Sequence, residues 1–180
     1  MNIANTLTMI RFALIPFIIV FLFLDNTFKI LALVLFIIAG ITDYFDGYFA
    51  KKRNEQTLFG NFIDPVSDKI LMVGIFFTLS YLGILHIAIP LLLLGREFAM
   101  NGIRSVSSAT DNIVKANIFG KTKFILQAIV IIAGIVLMVN NFSLPVNLIV
   151  NILGTIMIVF TYIGLTWFIV KNKDLLKSWL

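Results

Sequence analysis

Residues 43–68 read DYFDGYFAKKRNEQTLFGNFIDPVSD, with Asp43, Asp46, Asp64 and Asp68 flanking the basic triplet Lys51-Lys52-Arg53. The first carboxylate pair is spaced i,i+3 and the second i,i+4, so on helices each pair shares one face. The stretch therefore predicts two helices, joined by a short basic loop, that direct four carboxylates at one another. Two carboxylates about 6 Å apart repel by roughly 3 kcal/mol at an effective dielectric near 20. Placing one at the middle of a bilayer costs roughly 3 kcal/mol more. Divalent metal offsets both costs, and an all-oxygen donor set suits Mg²⁺, Mn²⁺ or Ca²⁺.

Membrane placement follows from what surrounds the stretch. Of the 180 residues, 60% are hydrophobic and only 13% charged, and the mean hydropathy is +1.04. A soluble domain of this length has too little interior to hide so much apolar surface, which predicts a single integral membrane domain over residues 1–180. The net charge of +5 fits cytoplasmic basic loops and anionic headgroups rather than nucleic acid. With no cysteine in the chain, disulfides and thiolate metal sites are excluded. The first apolar run is long and ends without a small-residue cleavage site, so it reads as a span rather than a cleaved signal.

Six spans are expected. The first runs from about Leu7 to Leu24, with Asn5 or Thr6 as its cap, Arg11 near headgroup level and Pro16 inside it. After a turn at Asp25-Asn26, the second runs from about Phe28 to Lys51, so that Asp43 lies about 12 Å along the helix from the basic triplet. Asn54 to Thr57 is a loop, and a third span from about Leu58 to Leu82 carries Asp64 and Asp68. Pro65 either starts a helix capped by Asp64 or kinks a longer one; the kink is favoured. The fourth span, roughly His86 to Val106, has an apolar first half and the charged second half GREFAMNGIR. Residues 107–117 are loop-like, the fifth span runs from about Ile118 to Val139, residues 140–144 turn, and the sixth starts near Pro145 and ends before Lys171.

The basic residues orient the spans. With both termini cytoplasmic, the inner segments hold Arg11, Lys51, Lys52, Arg53, Lys115, Lys121, Lys123, Lys171, Lys173 and Lys177, and the outer ones essentially Lys29. Every charged, chemistry-capable stretch (43–68, 96–104 and 121–123) then faces one side. His86 stands alone on the outer side as an interfacial residue, the scattered Phe residues serve as lipid-facing bulk, and Trp167 and Trp179 fit an aromatic belt.

The spacing Asp43, Asp46, Gly47, Ala50, Lys51, Gly60, Asp64, Asp68 resembles the signature of the CDP-alcohol phosphotransferase family, D-x2-D-G-x2-A-R-x8-G-x3-D-x3-D, with every interval kept. A chance match of the four Asp and two Gly is on the order of 10⁻⁸ per starting position, which sets coincidence aside. Lys51 stands where the family has arginine, keeping the charge but losing the bidentate fork. Arg96-Glu97-Phe98 with Gly102 and Arg104, Gly120-Lys121-Thr122-Lys123 with Gln127, and Asn5-x-Leu7-Thr8-x-x-Arg11 are similar to stretches of the phosphatidylglycerophosphate synthase subfamily. Phe124 and Ala4 depart from that pattern.

The resemblance implies transfer of a phosphatidyl group from CDP-diacylglycerol to sn-glycerol 3-phosphate with release of CMP. It implies two divalent ions, Mg²⁺ or Mn²⁺, held by Asp43, Asp46, Asp64 and Asp68, with Asp68 also the base toward the acceptor hydroxyl. Asn5, Thr8, Asp43, Gly47, Ala50, Lys51 and Gly60 would contact the CDP donor, and Gly47 and Gly60 let it pack close to the helices. A dianionic acceptor needs a cationic pocket of its own, for which Arg96, Arg104, Lys121 and Lys123 are the candidates. A homodimer, membrane lipids as surroundings, and a bacterial plasma membrane with the site facing the cytoplasm are implied with it.

Other readings stay open at this point. Arg96 and Glu97 are also explained as a structural ion pair, and Lys121 and Lys123 as topology anchors. A family member acting on phosphatidylglycerol or an inositol phosphate would use the same metal centre. Intramembrane carboxylates also mark cation or proton-coupled transporters, although the outer halves of the spans, such as IAIPLLLL, continue no polar path.

Overall fold

The computed structural model describes residues 3–53, 58–109, 118–140 and 146–172; side-chain surroundings are described for these except 3–7, 43–53, 58–62, 64, 65, 108, 109, 118, 119, 121 and 146. The described chain is all helical: α1 Ile3–Leu22, α2 Asn26–Arg53, α3 Leu58–Tyr81, α4 Ala88–Ala109, α5 Ile118–Val139 and α6 Val146–Lys171. The loop at 54–57, most of the polar stretch 107–117, the turn after Asn140 and the basic tail with Trp179 lie outside the described residues.

Two expectations at helix ends are corrected, and one alternative is decided. Helix α1 begins at Ile3, so Asn5 and Thr6 are interior positions, not caps; Ile3 and Ala4 contain no helix breaker to stop the helix later. Helix α3 runs over Leu58–Tyr81, so of the two readings at Pro65 the favoured one, a longer helix passing through it, holds over a helix capped by Asp64. Helix α4 continues to Ala109, because residues 107–109 are small and helix-tolerant although polar.

Several turns have local physical causes. Asp25 Oδ1 accepts the Phe28 backbone N–H at 3.2 Å, capping the start of α2. At the end of α3, the Gly83 N–H donates to Ser80 O and the Ile84 N–H to Leu79 O, both at 3.0 Å, and Gly83 has φ of 74°. That is a Schellman stop, and it needs a residue tolerant of the left-handed region. His86 is exposed and engaged locally: its Nδ1 accepts the Ala88 N–H at 3.2 Å, and its own N–H donates to Asn151 Oδ1 at 2.7 Å.

Helices α3 and α5 tie the bundle together: α3 packs on α1, α4 and α5, and α5 on α2, α3 and α6. The buried stripe of α3, Leu71, Met72, Ile75, Phe76, Leu79, follows the helical period. It meets Ile18 and Leu22 of α1, Leu93 of α4, Ile131 and Ile135 of α5, and Val150 of α6 in one core. Helix α6 packs on α5 and α4; Tyr162 OH donates to Leu92 O at 3.1 Å. A Cβ added at Gly154 would stand 2.8 Å from Ile89 Cδ1, the close approach that small residues permit between packed helices.

The outer surface is apolar as well. Phe17, Leu91, Leu148, Ile156 and Val170 all face outward. Thr122–Val139 and Asn147–Lys171 are long and apolar enough to cross a membrane, and shorter apolar segments cover Thr8–Leu22 and Asn26–Thr42. A continuous apolar exterior is unfavourable in water and fits solvation by lipid. Trp167 is partly exposed, with the Lys171 ammonium 4.7 Å from its ring centroid, as an aromatic belt residue would be.

Candidate functional site

Polar contacts divide between the two ends of the bundle. At one end the contacts between helices are neutral: Asn26 Nδ2 donates to Val139 O at 3.2 Å and Asn151 Nδ2 to Ile84 O at 3.3 Å. The opposite end is charged. There Arg11 of α1 meets Asp68 of α3, with Nη1 3.3 Å from Oδ1, and Lys123 of α5 meets Glu97 of α4, with Nζ 2.7 Å from Oε1. This end gathers the start of α1, the end of α2, the start of α3, the second half of α4 and the start of α5.

The central motif occupies it. Asp43, Asp46, Gly47, Ala50 and Lys51 lie in the last turns of α2, and Gly60, Asp64 and Asp68 in the first half of α3. Asp68 has a described side chain, 27% exposed. The side chains of Asp43, Asp46, Asp64, Asn5, Lys51 and Lys121 lie outside the described residues, as do the surroundings of Gly47, Ala50 and Gly60. Four carboxylates on two successive helices give hard oxygen donors, and the described one already draws a cation to itself. That chemistry fits a divalent metal.

Arg11, expected near headgroup level, has a partner that the sequence did not show. It sits at the ninth position of α1, 3% exposed, about 12 Å from the helix start. It faces into the bundle. Its partner is 57 residues away in the chain, so burial of the charge shows only once α1 and α3 are packed. Thr8, one turn earlier, is also buried, at 2%. The position of Arg11 in the N-terminal motif was the available signal.

The candidate acceptor cations do not behave alike. Arg96 is buried, and its Nη1 donates to Glu97 Oε1 at 2.9 Å. Lys123 donates to the same oxygen, so one carboxylate holds both cations. Arg104, two turns further along α4, is exposed. The structure thus brings Arg96 and Lys123 together on one carboxylate. Lys69 of α3, which the sequence did not single out, lies close enough for its charge to be felt at Lys123. Gln127, one turn beyond Lys123, is 2% exposed.

A cavity of about 350 Å³ adjoins the first ion pair. Phe36, Met72, Phe124 and Ile132 from α2, α3 and α5 form its apolar wall, and Arg11 with Asp68 forms its polar end. An amphipathic ligand with an anionic head and an apolar body matches that gradient.

Comparison with known proteins agrees with this chemistry. A family model described as CDP-alcohol phosphatidyltransferase matches residues 1–170. The chain is 31% identical to the CDP-diacylglycerol–glycerol-3-phosphate 3-phosphatidyltransferase of Bacillus subtilis, over 98% of each chain. It is 31% identical to the protein of the same name from Wigglesworthia glossinidia brevipalpis over 99% of each, and 37% identical to that of Rickettsia bellii over 70% of each. With the four-aspartate signature in place across α2 and α3, the chain belongs to the CDP-alcohol phosphatidyltransferase family.

Proposed function

We propose that this protein transfers the phosphatidyl group of CDP-diacylglycerol to sn-glycerol 3-phosphate, forming phosphatidylglycerophosphate and CMP. One observation carries the reading: Asp68 of the motif lies at the same end of the bundle as the buried cations Arg96 and Lys123. A carboxylate for proton removal and cations for a phosphate monoester are what this acceptor requires. The names and near full-length match of the relatives from Bacillus and Wigglesworthia support the same substrates.

In this reading the acceptor's hydroxyl oxygen attacks the β-phosphorus of the donor, and the bond to CMP breaks. Asp68 takes the hydroxyl proton, and Arg11 holds its carboxylate in place. Arg96, Lys121 and Lys123, with Arg104 at the rim, bind the acceptor phosphate. Asn5, Thr8, Lys51 and the small residues Gly47, Ala50 and Gly60 seat the nucleotide and its phosphates. Two divalent ions, Mg²⁺ or Mn²⁺, held by Asp43, Asp46, Asp64 and Asp68, would neutralise the pyrophosphate and the departing CMP. The cavity beneath Asp68 receives apolar parts of the donor from the bilayer.

The membrane arrangement belongs to the same proposal. All six helices span, both termini are cytoplasmic, residues 1–180 form one domain, and two copies associate. Helix α2, with 28 residues, measures about 42 Å against a hydrocarbon core of about 30 Å. Its carboxylate-bearing end thus reaches the headgroup region, where a CDP headgroup resides. Incubation of the purified protein with CDP-diacylglycerol, Mg²⁺ and one acceptor at a time tests the assignment. Lipid product from glycerol 3-phosphate alone is expected; product from phosphatidylglycerol or an inositol phosphate instead would move the acceptor.

A further inference from the structure

Arg96, Glu97 and Lys123 form a buried cluster, their side chains 7%, 10% and 15% exposed. Glu97 Oε1 alone receives both cations, at 2.9 Å from Arg96 and 2.7 Å from Lys123. Two cations thus share one carboxylate oxygen, and Lys69 of α3 adds its charge at Lys123. Arg96 Nε is buried and has no hydrogen-bond partner, so the corner also holds an unused donor. An oxygen that bridges two cations holds them as a phosphate oxygen would, and Arg96 Nε, away from Nη1 on the same guanidinium, is a further donor.

We propose that Glu97 is the resident counter-anion of the acceptor pocket: it holds Arg96 and Lys123 in the empty enzyme and yields them to a phosphate dianion. The inference rests on the reading of Arg96 and Lys123 as acceptor residues. Without Glu97, two buried cations lack their counter-charge, and the pocket is costly to keep empty. With it, the pocket stays assembled, and an incoming anion has to outcompete a carboxylate. A dianion does so through two charges and several acceptor oxygens; a neutral alcohol does not. Glu97 thereby favours acceptors bearing a phosphate monoester and is a positioning residue, since it acts through its neighbours.

Inorganic phosphate is the probe, with its Kd measured by calorimetry on the metal-free, full-length protein in detergent and the KM for glycerol 3-phosphate measured alongside. Glu97→Gln removes the competing charge a few ångström from the bound anion, so phosphate binds about tenfold or more tightly and KM falls in parallel. A fixed structural pin predicts the reverse, and unchanged or weaker phosphate binding by folded Glu97→Gln overturns the proposal. If that variant does not fold, Glu97→Asp serves: its carboxylate is drawn back by one methylene, and about threefold tighter phosphate binding is expected; an unchanged Kd overturns the proposal. Lys123→Met separates the two levels. A raised KM with no tightening in Glu97→Gln retires the counter-anion role alone, whereas an unchanged KM in Lys123→Met retires the pocket itself.

Discussion

Asp68 and Arg11 show how much of the site depends on single side chains. Arg11 is 2% exposed at the side chain and Asp68 27%, so the pair is shielded from water on one side only. Breaking a buried pair leaves one charge uncompensated. Arg11→Met should lower stability by about 2 kcal/mol in metal-free detergent solution, read as a drop in the unfolding midpoint. The double variant with Asp68→Asn should recover part of that loss. A midpoint equal to wild type for Arg11→Met would mean that the contact does not carry the charge. Asp68 was legible from its interval in the motif, whereas Arg11 was not. A lone arginine near a chain start is usually a headgroup anchor, and only the packing of α1 on α3 makes it a partner. Glu97 illustrates the same limit: its neighbour Arg96 was visible in sequence, but Lys123, 26 residues away, needed α4 and α5 both packed on α3 and α6.

At the level of elements, helix identity was written in long apolar runs cut by recognisable breaks. Helix α5 runs over Ile118–Val139 as the apolar run predicts, and the turn at Asp25-Asn26 became a capped start of α2. Helix ends failed where polar residues were read as stops, as at Asn5 and residues 107–109, because polarity alone does not end a helix at a membrane edge. The stop at Gly83 depends on conformation instead, with φ of 74°. Gly83→Val, which places a β-branched residue there, should cost about 1–2 kcal/mol and lower the unfolding midpoint. KM for glycerol 3-phosphate should not change, since the turn is at the end of α3 away from Asp68. A shifted KM in that variant would show that the two ends of α3 are coupled.

For the whole molecule, the gathering at one end of the ion pairs among the described residues is the organising fact. That end was legible in advance from the positions of lysine and arginine, while the cavity beside Asp68 was not, because its wall comes from three helices distant in sequence. The proposed orientation is open to direct labelling, since the chain has no cysteine of its own. Thr27→Cys, at the start of α2, and Lys171→Cys, at the end of α6, both replace exposed residues. A membrane-impermeant maleimide should label the first in intact cells and the second only after permeabilisation; the reverse pattern would invert the topology. The most direct test of the account is CMP release from CDP-diacylglycerol by the purified protein, with wild type and Asp68→Asn side by side. CMP formation is expected to require both glycerol 3-phosphate and a divalent ion, and to fall by about 10²-fold or more in the variant. Undiminished release by folded Asp68→Asn, or none by folded wild type under any of these conditions, would contradict it.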